Sequence, residues 1–110
     1  MTIDLNKQLI FYAKGGTAML SQLPVNFNKV NKKDLDKEIL RAGMIAELDA
    51  VSFYEQMASI TQNKKIKTIL LDIAKEEKTH VGEFHALLMK LDPEYVKELK
   101  AGKKEVDELK

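Results

Sequence analysis

Residues 64–91 read KKIKTILLDIAKEEKTHVGEFHALLMKL, and this stretch decides the fold. Its apolar residues form two rows that repeat every seven residues, which is the spacing of one face of a helix. One row is Ile66, Ile73, His80 and Leu87, and the other is Leu70, Glu77, Phe84 and Leu91. Glu77 and His80 therefore stand at positions where every other member of the row is aliphatic or aromatic.

These two ionisable residues are three positions apart in the sequence. On a helix they share a face and are separated by about 4.5 Å of rise. Burying an unpaired carboxylate costs several kcal/mol, and a bound cation offsets that cost. We therefore predict that Glu77 and His80 are metal ligands.

A third ionisable residue interrupts the apolar stripe of the preceding segment. The stripe runs Leu40, Met44, Glu47, Val51, Tyr54, Met57 and Ala58. In an antiparallel hairpin, residues that face each other are equally far from the turn. The midpoint of Glu47 and Glu77 is position 62, and that of Glu47 and His80 lies between 63 and 64, inside the polar break at 62–65. The three residues are predicted to meet at one level, with Glu47 as the third ligand.

The chain is predicted to be all-α. A first helix is expected at about 32–61 with Asn31 as its N-cap, and a second at about 64–91. Asp92-Pro93 should begin a short C-terminal helix that runs to about residue 100 and ends at Gly102. The remaining residues are expected to form a frayed tail or a last helical turn.

The first part of the chain has a different composition. Residues 1–33 contain four of the five asparagines. They carry five lysines and one aspartate, which is a net charge of +4. Residues 34–110 carry thirteen basic and sixteen acidic groups, which is a net charge of −3. We predict an N-terminal arm at 1–31, with a short helix or strand near 3–13, and a helical domain at 32–110. The helical domain therefore has the negative net charge, as suits a protein that attracts cations.

Three local features add to the site. Gly43 lies one turn before Glu47, and its missing side chain leaves room for a close neighbour. Tyr54 lies two turns after Glu47, where it either packs or helps to line the site. His85 lies off the stripe and is expected to be solvated.

One hairpin leaves much of both stripes facing water, so two copies are expected to form a four-helix bundle. Twofold symmetry turns Glu47, Glu77 and His80 into four carboxylates and two imidazoles. Such a set suits two bridged metal ions, and di-iron carboxylate bundles use a Glu from two helices and Glu-x-x-His from the other two. Ligand type alone does not separate iron from manganese or zinc.

Composition excludes several classes of function. Cysteine is absent, which rules out disulfides, a thiolate zinc site and a cysteine nucleophile. A net charge of +1 gives no reason to expect nucleic acid as a partner. No apolar run is long enough for a membrane span and no signal-peptide pattern is present, so a cytoplasmic location is expected.

Residues 38–99 resemble the ferritin-like superfamily. They are most similar to half-length, two-helix ferritins associated with encapsulin shells, either enclosed as cargo or fused to the shell protein. The segments that carry this resemblance are EILRA (38–42), IAELDA (45–50), YEQMA (54–58), DIAKEEKTHVGEF (72–84) and LDPE (91–94).

The resemblance implies that Glu47, Glu77 and His80 are iron ligands and that Tyr54 is an aromatic residue near the site. It implies a di-iron centre shared by two subunits of a homodimer, with dimers assembled into rings. The implied activity is that of a ferroxidase, which oxidises Fe(II) with dioxygen for iron storage, in an encapsulin nanocompartment.

The chain departs from the family in two places. Some relatives carry an acidic residue just before the first ligand, where this chain has Ala46, although Asp49 remains available to guide iron. The tail at 105–110 does not resemble a shell-loading peptide. Two other functions stay open: a peroxide-reducing di-iron protein, and a non-catalytic helical dimerisation module in which Glu77 and His80 are hydrogen-bonded polar residues.

Overall fold

The computed structural model describes residues 26–110, and these residues form helices and turns without a strand. The three α-helices of this part of the chain are α1 (Leu35–Ile60), α2 (Lys64–Leu91) and α3 (Pro93–Asp107). Helices α1 and α2 pack against each other as an antiparallel hairpin. The predicted all-α fold and hairpin are confirmed, whereas most of the predicted arm falls on residues 1–25, outside the described part.

The first helix begins three residues later than predicted. Residues Lys32–Asp34 form a 3₁₀ turn, in which the Asp34 N–H donates to the Asn31 carbonyl at 2.9 Å, and α1 begins at Leu35. Asn31 makes no capping hydrogen bond with its side chain. A 3₁₀ turn at the start of an α-helix is common because it satisfies free N–H groups with shorter-range bonds.

The bounds predicted for the second helix are confirmed. Thr61, Gln62 and Asn63 form the connection between the helices. The Asn63 side chain accepts from the N–H groups of Lys65 at 3.0 Å and Ile66 at 3.1 Å, and so caps α2. This cap fixes the turn at the centre of the polar break and thereby sets which residues of α1 and α2 face each other.

Small residues keep the two hairpin helices close together. The buried apolar residues are Ala42, Val51, Ala58, Ala74 and Leu88. Gly43 also admits a close neighbour, as predicted, and that neighbour is the ring of Phe84. The contact lies one helical turn from Glu47.

The last helix is longer than predicted. Asp92 caps α3 by accepting from the Tyr95 N–H at 3.0 Å and also pairs with Arg41 of α1 at 3.2 Å. The expectation that the helix ends at Gly102 is wrong, because Gly102 has no positive φ and α3 continues to Asp107. A glycine inside a helix costs about 1 kcal/mol, which the ion pairs Lys103–Asp107 and Lys104–Glu108 partly offset.

The hairpin leaves many large apolar side chains exposed. Ile39, Leu48, Ile66, Leu71, Leu87 and Leu91 are among them. Such exposure is more than isolated surface residues explain, and it is typical of a surface that another protein chain covers. None of the helices within residues 26–110 has the length and apolar character needed to cross a membrane.

Candidate metal centre

The hairpin brings together the three ionisable residues that interrupt its apolar stripes. Glu47 comes from α1, and Glu77 and His80 come from adjacent turns of α2. One ligand atom from each of the three lies within 4.8 Å of the other two. In the part of the chain that the structure describes, no other group of three such residues is so close.

The imidazole of His80 faces both carboxylates through its Nδ1 atom. Nδ1 lies 3.4 Å from Glu77 Oε2 and 3.5 Å from Glu47 Oε2. Two atoms that each bind one ion at about 2.1 Å lie roughly 3–4 Å apart. The separations in this cluster therefore match those of a site with one shared cation, with Nδ1 as the ligating nitrogen.

The burial of the three side chains is uneven. Glu47 and Glu77 are 20% and 19% exposed, whereas His80 is 45% exposed. The two carboxylates thus lie inside the seam between α1 and α2, and the imidazole lies at its open side. The cluster has one face that residues 26–110 do not cover.

Glu47 gives the clearest sign that a cation fits. Its Oε2 atom is buried and makes no hydrogen bond among the described residues. A buried carboxylate oxygen without a hydrogen bond costs roughly 1–3 kcal/mol or more. Two carboxylates and one imidazole are the donors that suit Fe, Mn or Zn, so the residues present fit a divalent metal.

Tyr54 was the aromatic residue predicted to lie near the site. Tyr54 is half-buried and packs against Phe53 with ring centroids 5.6 Å apart. Its hydroxyl donates no hydrogen bond to the three clustered residues within the described chain. Its role as a residue that lines the site stays a prediction.

His85 differs from the sequence-based expectation. It was expected to be solvated, but it is half-buried, and its ring packs against Tyr95 of α3 at 5.6 Å. Its Nε2 atom is buried and makes no hydrogen bond among residues 26–110. The expectation is wrong because α3 packs its Tyr95 against this side of α2.

Comparison with known proteins assigns the family. The family model described as Rubrerythrin matches residues 38–110, which is more than half of the chain. The chain belongs to the rubrerythrin family. The matched range includes all three residues of the cluster.

Two curated proteins resemble this member of the rubrerythrin family. A ferritin-like-encapsulin shell fusion protein from Pyrococcus furiosus is 55% identical over 93 residues, which are 83% of this chain and 27% of that protein. The encapsulin nanocompartment cargo protein EncC from Myxococcus xanthus is 37% identical over 68 residues, 59% of this chain and 52% of that protein. The chain thus spans about a quarter and about half of the lengths of these relatives.

A solved structure has the same fold. The crystal structure of the encapsulated ferritin domain from Pyrococcus furiosus superposes with a TM-score of 0.70 at 54% identity, and covers 82% of this chain and 94% of the other. The resemblance to encapsulin-associated ferritins within the rubrerythrin family is therefore confirmed, and with it the ferritin-like helical fold.

Proposed function

We propose that this protein is a ferroxidase, which oxidises Fe(II) with dioxygen for iron storage. The observation that carries the proposal is the buried Oε2 of Glu47, which makes no hydrogen bond among residues 26–110 and lies beside Glu77 and His80. Burying such a group costs stability, and a bound cation offsets that cost. Membership of the rubrerythrin family and the encapsulin-associated relatives support iron as that cation.

The single chain supplies only half of the proposed site. Ile66, His80 and Leu87 belong to one seven-residue row of α2, and Ile66 and Leu87 are exposed in the single chain on either side of the exposed His80 imidazole. An exposed apolar row that contains a metal-binding residue is the surface expected to contact a second copy of the chain. In the resulting homodimer, four carboxylates and two imidazoles hold two iron ions.

Each residue has a distinct part in the proposed reaction. Glu47 and Glu77 supply negative charge that attracts and neutralises Fe(II), the substrate. His80 binds through Nδ1 when that atom carries no proton, and its ring holds the ion on the exposed side of the carboxylates. Three protein ligands per ion leave coordination positions open, as redox chemistry with dioxygen requires and as a closed structural site does not.

The names of two relatives support a proposal for where the product is stored. One is named as fused to an encapsulin shell and the other as cargo of an encapsulin nanocompartment. By analogy with these two proteins, we propose that this domain works inside an encapsulin shell in the cytoplasm. Oxidation by the domain would then supply ferric iron to a mineral enclosed by the shell.

Anaerobic titration with Fe(II), followed by air, tests the proposal. The expected result is saturation at one iron per chain and oxidation faster than in buffer. Glu77→Ala and His80→Ala should abolish stoichiometric binding, whereas Glu76→Ala, which removes an exposed neighbouring carboxylate, should not. Absence of stoichiometric binding would favour the non-catalytic dimerisation module, and faster consumption of peroxide than of dioxygen would favour a peroxide-reducing protein.

A further inference from the structure

The ring of Phe84 lies where it can set the spacing of the metal ligands. It rests on the backbone of α1 at Gly43, where an added β-carbon would lie within 3.3 Å of three ring carbons. Two carbon atoms are optimally about 3.5–4.0 Å apart, so the ring occupies the space that a side chain at position 43 would need. The ring therefore acts as a spacer between the helices, and it fits because residue 43 is a glycine.

The spacer lies next to the metal ligands along both helices. Gly43 is four residues before the ligand on α1, and Phe84 is four residues after the histidine on α2, which is about one helical turn in each case. One turn away on the opposite side of the cluster, Val51 of α1 and Ala74 of α2 are buried. The ligands thus lie between two packed levels of the hairpin, and their separation follows from the separation of the helices.

The distances inside the cluster are longer than those of good hydrogen bonds. His80 Nδ1 lies 3.4 Å from Glu77 Oε2 and 3.5 Å from Glu47 Oε2. Hydrogen bonds from a nitrogen to a carboxylate oxygen usually span about 2.7–3.2 Å, whereas two ligands of one metal ion lie roughly 3–4 Å apart. The Glu47 carboxylate is therefore held just short of a direct bond with His80, at a distance that suits a shared cation.

We propose that Phe84 is a positioning residue for the metal site. Its ring holds α1 and α2 apart at Gly43 and thereby keeps the Glu47 carboxylate from closing onto the His80 imidazole. A direct bond between these two groups would occupy the ligand atoms that a cation needs, and binding would first have to break it. Because the ligand atoms are already apart in the metal-free protein, the cation binds without that cost.

The inference rests on the metal site of the proposed ferroxidase but not on its oxidation chemistry. It concerns affinity and coordination geometry, which a metal ion that dioxygen does not readily oxidise can report. Co(II) serves as this probe, because it follows Fe(II) directly in the order of affinity for a given set of nitrogen and oxygen ligands. Its visible absorption also depends on the number and arrangement of the ligands.

Titration of the full chain with Co(II), and with Fe(II) without air, tests the inference. Gly43→Ala adds a methyl group that displaces the ring, and Phe84→Leu removes the ring so that the helices can close. Each should lower the affinity for both ions by about tenfold or more and change the Co(II) spectrum. The double variant should recover most of the affinity, because the methyl group fills part of the space that the ring leaves.

Two control variants separate spacing from stability. Gly82→Ala also adds a methyl group to a helical glycine, but no atom lies within 4 Å of the added β-carbon. Leu88→Val trims a buried side chain one turn beyond Phe84 and should destabilise the protein. Both controls should bind Co(II) and Fe(II) as the wild type does. Sedimentation velocity on the same samples measures whether each variant forms the dimer to the same extent.

The possible results distinguish this inference from the proposed function. A wild-type chain that binds neither ion would overturn both. Wild-type affinity in Gly43→Ala would overturn the inference alone, and this variant keeps every core side chain, so it decides the question even where Phe84→Leu fails to fold. The inference would also be overturned by an equal loss of affinity in Leu88→Val, by a double variant that binds more weakly than either single variant, or by a loss that dissociation of the dimer explains.

Discussion

The ring of Phe84 lies so close to Gly43 that a β-carbon at position 43 would be 3.2 Å from two ring carbons. Gly43 is four residues before Glu47, and Phe84 is four residues after His80, so this contact lies one helical turn from the metal cluster. Both pairs have their midpoint between 63 and 64. The contact therefore fixes the separation of α1 and α2 beside the site.

Gly43→Ala and Gly82→Ala should differ in stability although both replace a helical glycine. Gly82→Ala should stabilise the protein by about 0.5–1 kcal/mol, because no atom lies within 4 Å of the added β-carbon. At position 43 the same gain should be cancelled because the Phe84 ring must move. Urea denaturation measures both variants, and equal stabilisation would show that the ring moves without cost.

Glu47→Leu should make the metal-free protein more stable. The substitution removes a buried Oε2 that makes no hydrogen bond within residues 26–110 and keeps apolar contacts in the seam, which should raise the free energy of unfolding by about 1–2 kcal/mol. Stoichiometric binding of Fe(II) should be lost at the same time. The control is Glu55→Leu, on an exposed side chain that pairs with Lys78.

A destabilised Glu47→Leu protein would contradict this account. It would mean that Glu47 has a stabilising partner without metal. Thermal unfolding in the presence of a chelator separates the two outcomes.

Leu87→Asp should weaken iron binding although it leaves every ligand in place. Leu87 is exposed in the same row as His80, and a charge there would disfavour the proposed second copy. Fe(II) affinity should fall roughly tenfold or more, which corresponds to about 1.4 kcal/mol. Leu71→Asp, at an exposed position outside that row, is the matched control, and an equal loss in both variants would count against dimerisation through this row.

Asp92→Ala should cost more stability than Arg41→Ala. Asp92 caps α3 through the Tyr95 N–H and accepts from Arg41, so its loss removes both a cap and a salt bridge and should cost about 1–2 kcal/mol. Arg41→Ala removes two ion pairs of a half-exposed side chain, with Glu38 and with Asp92, but no helix cap, and should cost about 1 kcal/mol or less. Denaturant midpoints of the two variants and of Asp92→Asn, which keeps the cap, test this order.

The sequence predicted the hairpin well because its turn and its apolar rows are local signals. The polar break that contains Asn63 set the register, and that register placed Glu47 opposite His80 and Gly43 opposite Phe84. The predicted bounds of α2 lie between this polar break and Asp92; Asp92 makes the predicted capping hydrogen bond, and Asn63 also caps α2.

Features that depend on contacts with other elements were predicted less well. Gly102 is a common helix end, yet the ion pairs that follow it allow α3 to continue to Asp107. The burial of His85 depends on how α3 packs its Tyr95 against α2, and no periodicity in α2 indicates that contact. Sequence also gave no sign that Lys32–Asp34 forms a 3₁₀ turn before α1.

The central claim is that Glu47, Glu77 and His80 share iron where two copies meet. Diffraction at the iron absorption edge, on crystals grown with Fe(II), tests it most directly. The account predicts an anomalous peak within about 2.3 Å of both carboxylates and of His80 Nδ1, next to a symmetry-related peak from a second copy. A peak bound to other residues, or iron-grown crystals without a peak at this cluster, would contradict it.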